Sequence, residues 1–192
     1  MEIFVGVNDS IFEPSSPFCH ATELSSLLTR QCDTNPILLL YTDGGPDHRV
    51  NFLSVQLSLI AVFLARDLDC LVAVRTPPFN SWKNPAERIM SELNLALQAV
   101  GLMRTRMSDK LEKKMENCKS MKMVRAATVA HPELQEAFKD SLEPVILLVG
   151  SLFQRLKLKG EPFSVFTSAT SSEMDMLAGF LTQIQSGIDP TS

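Results

Sequence analysis

Cysteine and histidine are scarce in this chain of 192 residues, and neither sign of charge is in large excess. The four cysteines form no C-x-x-C pair, which argues against zinc binding and disulfides and favours reduced thiols inside a cell. The three histidines, His20, His48 and His131, show no metal-ligand spacing. A net charge of −4, from 18 basic and 22 acidic residues, argues against binding nucleic acid through overall charge.

Long apolar runs are also absent. The longest, residues 52–65 and 145–153, are short or interrupted by polar residues, whereas a membrane-spanning helix needs roughly 20 apolar residues. The N-terminal residues lack the basic and apolar regions of a signal peptide. We therefore expect a soluble intracellular chain with no membrane partner. Its 45% apolar and 21% charged residues are typical of a globular protein.

Over residues 1–101 the apolar pattern predicts an α/β layer, a mixed sheet flanked by helices. The predicted strands are residues 3–12, 37–41 and 70–74, and the predicted helices are residues 21–28, 51–67 and 84–101. The second and third strands are apolar throughout, which is typical of parallel strands buried on both faces. Connecting helices would then bring Asp43 and residues 75–78 to the same edge of the sheet.

The helix predicted at residues 51–67 is the most apolar segment of the chain. We predict that its large side chains belong to the core: Phe52, Leu53, Val55, Leu57, Leu59, Ile60 and Phe63.

Beyond residue 101 the pattern predicts helices almost exclusively. They cover residues 104–125, 134–138, 143–158 and 172–185, and residues 160–166 form a short hairpin-like stretch. We therefore divide the chain into an α/β core, residues 1–101, and an all-helical C-terminal extension, residues 102–192. The basic residues within 104–125 could follow a phosphate backbone, but the acidic residues between them favour an ordinary solvated face.

Two acidic residues are candidates for chemistry. Asp43 follows the strand predicted at residues 37–41. Glu87 falls in the first turn of the helix predicted at residues 84–101, where Pro85 suits the first helical position. The two acids are separated by 43 residues, enough for a helix, a strand and a turn. Such a pair can share two Mg²⁺ ions that activate a nucleophile and stabilise the leaving oxygen of a phosphodiester.

The neighbouring residues leave both a functional and a structural interpretation open. Gly44 and Gly45 would let a nucleic-acid backbone approach, while Asp47 and His48 could support the metal ligands. Alternatively, Asp43 only begins a turn, and the acid on the helix only complements the helix dipole.

The segments TDGGPDHR and NSWKNPAERIMSELN, with the strand LVAVRTPP between them, resemble the second and third acidic motifs of DDE transposases and retroviral-type integrases. The resemblance covers residues 3–101 and implies a ribonuclease-H-like fold. It implies that Asp43 is the second catalytic aspartate and Glu87 the catalytic glutamate, both ligands of Mg²⁺ or Mn²⁺. DNA cleavage and strand transfer, DNA as the partner, a homo-oligomer and a nuclear location follow from the resemblance alone.

The family's first catalytic aspartate has no counterpart here. It lies on a strand that would precede residues 3–12, and Met1 comes almost directly before that segment. Asp9 would fall on a peripheral strand, where it is a poor substitute ligand. Since the first acid bridges both metal ions in the family, we expect an incomplete, transposon-derived fragment without transposase activity.

Two alternatives remain open at this stage. The chain could be a non-enzymatic DNA- or protein-binding module, or a competent enzyme that takes its first acid from an upstream strand or a partner chain. Trp82 and Phe79, just before the Glu87 helix, could stack on a base, although packing against the protein is the interpretation we favour.

Overall fold

The computed structural model describes residues 2–32, 34–77 and 80–187, and the chain divides into two compact units. The first comprises Met1–Pro14 and Ile89–Thr167, and the second comprises Ser15–Arg88 and Ser168–Ser192. Each unit is therefore built from two separate stretches of the chain. The division at residue 101 rests on composition and resemblance, and it stays a prediction. The predicted mixed α/β class is confirmed.

The sheet of the first unit has three strands in the order β1–β5–β4. Strand β1 (Ile3–Val7) is parallel to β5 (Glu161–Thr167), and β4 (Lys157–Leu158) is antiparallel to β5. A hairpin is thus present, but it begins at Lys157, and the predicted stretch 160–166 is mostly its second strand. The turn residues Lys159 and Gly160 have φ of +54° and +88°. Residues 102–192 are consequently not all-helical, because the alternating strand β5 lies within them and pairs with the N-terminal residues.

The remaining elements of the first unit are helical. They are most of α3 (Pro85–Ala96), α4 (Asp109–Met115), α5 (Met121–Ala130) and α6 (Pro132–Gln154). The predicted stripe Ile89, Leu93 and Leu97 packs into the core with β1 and β5. The basic stretch 104–125 is not one helix: α5 starts afresh at Ser120, whose side chain accepts a hydrogen bond from the Met123 N–H at 3.3 Å.

In the second unit, β2 (Ile37–Thr42) and β3 (Cys70–Arg75) form a two-stranded parallel sheet. Helices α1 (Pro17–Arg30), α2 (Leu53–Ala65) and α7 (Ser171–Gly187) pack together around Ala21, Ala61, Val62 and Leu177. The two strands end level with each other, because Thr42 pairs with Arg75. Asp43 and residues 75–77 therefore lie at the same edge of the sheet, as predicted. The last residue of that predicted segment, Pro78, lies outside the described residues.

Among the residues that the structure describes, helices cover only one face of the β2–β3 sheet. Leu38 and Leu71 pack against the helices, whereas alternate residues point away and are exposed, including Leu39 at 67%. The prediction that both faces are buried is wrong. Helices α1, α2 and α7 pack on the face of Leu38 and Leu71, and the face that carries Leu39 is exposed. The strands predicted for one sheet lie in two: β1 joins β5 and β4, and β2 joins β3.

Helix α2 is apolar on all sides but buries only one of them. Its buried residues are Val55, Ser58, Ala61 and Val62. The core prediction is confirmed for Val55 and is wrong for three others, which are exposed: Phe52, Leu53 and Ile60. Neither this helix nor any other described helix is long and apolar enough to cross a membrane.

Candidate functional site

Asp43 directly follows β2, as predicted, and its side chain is exposed. Its Oδ1 accepts a hydrogen bond from the Gly45 N–H at 2.9 Å, which closes a turn across Gly44. Gly44 has a φ of +78°, and a Cβ there would lie 3.3 Å from Cδ of Arg75. The turn therefore requires glycine for its own geometry, and it brings the Arg75 side chain beside the aspartate loop.

Glu87 lies in the first turn of α3, as predicted, and is exposed. Buried Asn84 begins this helix: its Oδ1 accepts a hydrogen bond from the Ala86 N–H at 3.0 Å. The cap fixes the first turn, so the backbone that carries the glutamate is well defined.

Trp82 is 72% exposed, and Nζ of Lys83 lies 5.1 Å from the centroid of its ring. The prediction that Trp82 packs against the protein is therefore wrong. An exposed aromatic ring beside a cation is a surface on which a base can stack. Phe79, considered together with Trp82, lies outside the described residues.

Asp43 and Glu87 belong to the same compact unit. Across the described residues, however, no group of three or more His, Cys, Asp or Glu side chains could hold a metal ion. Asp9, weighed as a substitute ligand, belongs to the first unit, where its Oδ1 accepts a hydrogen bond from the Ile11 N–H at 2.9 Å. Coordination of Mg²⁺ or Mn²⁺ by the Asp43–Glu87 pair stays a prediction.

A polar cluster around His20 is the feature that sequence reasoning missed. Oγ of Ser15 donates a hydrogen bond to Oδ2 of Asp47 at 2.7 Å and lies 2.7 Å from Nε2 of His20. Nδ1 of His20 lies 3.5 Å from Oε2 of Glu23. Since the Ser15 proton points to Asp47, Nε2 of His20 must donate to Ser15, and both ring nitrogens of His20 face acceptors.

These contacts shift the pKa values of His20 and His48 in opposite directions. The hydrogen bond to Glu23 raises the pKa of His20 despite its burial, and the charges of Asp47 and Asp43 add to the effect. Burial and the charge of His20 lower the pKa of His48, whose ring centroid lies 4.9 Å from that of His20. His20 is therefore the more readily protonated of the two imidazoles.

Burial alone would raise the pKa of Glu23, but hydrogen bonds from His20 and Ser168 outweigh it and lower the pKa. The Ser168 hydroxyl donates to Oε1 of Glu23 at 2.7 Å. Glu23 thus links α1 to the residues just before α7 and stays ionised beside His20.

The sequence did contain a signal for this cluster. Ser16 caps α1 by accepting a hydrogen bond from the Cys19 N–H at 3.1 Å, and Pro17 occupies the first turn. The predicted helix began only at residue 21, and so left His20 in a loop. A start at Pro17 would have placed His20 in a first turn.

Comparison of the chain with models of known protein families, with curated proteins and with solved structures found no match. The resemblance of the two acidic motifs to DDE enzymes therefore remains a prediction.

Proposed function

We propose that this chain derives from a DDE transposase or integrase with a ribonuclease-H-like core and that it no longer catalyses DNA cleavage or strand transfer. The main support is the position of the two acids, with Asp43 at the end of a parallel strand and Glu87 in a capped first turn within the same unit. We propose inactivity because, among the described residues, no third acidic side chain joins Asp43 and Glu87 in a group that could hold metal ions for the two-metal mechanism. A nuclear location and a homo-oligomer stay predictions.

The metal-binding part of this proposal is tested by titration with Mn²⁺ and Mg²⁺, followed by NMR. We expect weak binding that Asp43→Asn or Glu87→Gln removes, because each change replaces a carboxylate ligand with a neutral amide. Glu92→Gln on the same helix and Asp69→Asn serve as matched controls and should bind as the unchanged protein does. Binding that survives both Asp43→Asn and Glu87→Gln would rule out this pair as the metal site.

Catalysis is tested with supercoiled DNA in the presence of Mn²⁺. We expect no nicking above background. Nicking that Glu87→Gln abolishes, and Glu92→Gln does not, would show that the chain is an active nuclease and that the proposed loss of activity is wrong.

A second candidate function, DNA binding without cleavage, is favoured by the exposed Trp82. Arg75 at the end of β3 and Lys83 beside Trp82 are both exposed, so phosphate contacts could add to base stacking. This function needs no metal and no third acid.

Because Trp82 is the only tryptophan in the chain, its fluorescence reports contact with a base directly. We expect a single-stranded oligonucleotide to quench it, and Trp82→Ala to weaken binding by about 1–3 kcal/mol for a lost stacking contact. Trp82→Phe should retain most of the affinity, which is measured by anisotropy of a labelled oligonucleotide. Unchanged affinity of Trp82→Ala would exclude this surface.

A further inference from the structure

A pocket of about 180 Å³ lies within the second unit, between α1, the β2–β3 sheet and α2. Most of its wall is apolar and includes Leu24, Leu40, Val55, Leu59 and Ala73. An apolar cavity of about 150 Å³ in another protein is large enough to bind benzene. The pocket therefore has room for a ring-sized molecule with a small substituent, and its wall favours an apolar one.

His48 supplies a hydrogen-bonding group at this wall. Within the described part of the chain, its ring contacts the His20 ring but has no hydrogen-bond partner, whereas both nitrogens of His20 face acceptors. A neutral imidazole has one N–H donor and one nitrogen acceptor. His48 is thus a polar side chain of the pocket that is available to a ligand.

The charges near His48 disfavour an anion. Asp47 lines the pocket, and both Asp47 and Asp43 act electrostatically on the histidine pair. The imidazole of His20, which also lines the pocket, already has Glu23 as a partner, with 3.5 Å between Nδ1 and Oε2. A carboxylate ligand would meet Asp47 at a wall whose lining residues include no lysine or arginine, whereas a neutral hydroxyl group would meet no such repulsion.

We propose that this pocket binds a small neutral molecule, the size of benzyl alcohol, with its ring against Leu40, Leu59 and Ala73 and its hydroxyl group hydrogen-bonded to His48. The proposal does not depend on the transposase resemblance or on metal binding by Asp43 and Glu87.

The test uses the full chain, titrated with benzyl alcohol, toluene and benzoate and followed by NMR shifts of backbone amides. We expect benzyl alcohol to cause saturable shifts around Leu40 and Ala73, and benzoate to bind more weakly. Ala73→Leu fills the pocket and should abolish the shifts. Val72→Leu, on the exposed face of the same strand, is the matched control and should leave them unchanged.

His48→Leu separates the polar from the apolar part of the site. It should weaken benzyl alcohol binding roughly five- to tenfold, as expected for one lost hydrogen bond, while toluene binding changes less than about twofold. Retained toluene binding also shows that this variant is folded. The proposal is overturned if benzyl alcohol gives no saturable shifts, if Ala73→Leu leaves them intact, or if benzoate binds more tightly than benzyl alcohol.

Discussion

His20 is the residue whose surroundings most change its chemistry. Its imidazole gains a partner in Glu23 on the next turn of α1 and a second contact in Ser15. A histidine whose pKa is raised in the folded state stabilises that state fully below its ordinary pKa, and the stabilisation is lost as pH rises through the raised value. The side chain is 37% exposed, so the gain is below about 1 kcal/mol.

Glu23→Gln should therefore lower the pKa of His20, because the largest cause of its increase is removed. An NMR titration of the ring protons measures this pKa directly. Asp47→Asn is the comparison: its carboxylate lies 3.9 Å from Nε2 of His20, so its loss should lower the pKa less. In Glu23→Gln, stability should also decline less as pH rises above about 6.5. An unchanged titration of His20 in Glu23→Gln would contradict the assigned cause.

At the scale of single elements, the turn after β2 depends on one glycine. Gly44→Ala should destabilise the protein by about 1–2 kcal/mol, because an L-residue there has an unfavourable positive φ and crowds Arg75. Gly179→Ala gives a matched contrast within α7, where an added Cβ meets nothing within 4 Å and the change should stabilise by up to about 1 kcal/mol. Urea unfolding measures the change in the free energy of unfolding for both variants. If both variants were stabilised or both destabilised, the proposed need for glycine at position 44 would be refuted.

Local patterns predicted most of the elements and the positions of both acids. The sequence predicted β2, β3 and the first turn of α3 because their determinants are local. These determinants are the apolar runs, the glycine turn and the Asn84–Pro85 pair, and each spans only a few residues. The exposure of Leu39 and Phe52 was not predictable in this way, since an apolar run does not show how many of its faces are covered. The pairing of His20 with His48 depends on how α1 packs beside the loop after β2.

At the scale of the whole molecule, the missing prediction was the pairing of β1 with β5. Residues 3–7 pair with residues 163–167 as parallel strands, although most of the chain lies between them. The sequence of neither strand indicates which strand it pairs with. The same holds for α7, which returns to α1 and α2. Each unit combines two separate stretches of the chain, and local patterns do not show which distant stretches pack together.

The interleaved order of the units also has a consequence for synthesis on the ribosome. Strand β1 is made long before β5, and α1 and α2 are made long before α7. At ordinary translation rates the wait is on the order of ten seconds. Throughout that interval the apolar residues Ile3 and Val5 lack their partner strand. The first unit can therefore complete its folding only after β5 has emerged, and the second only after α7 has emerged.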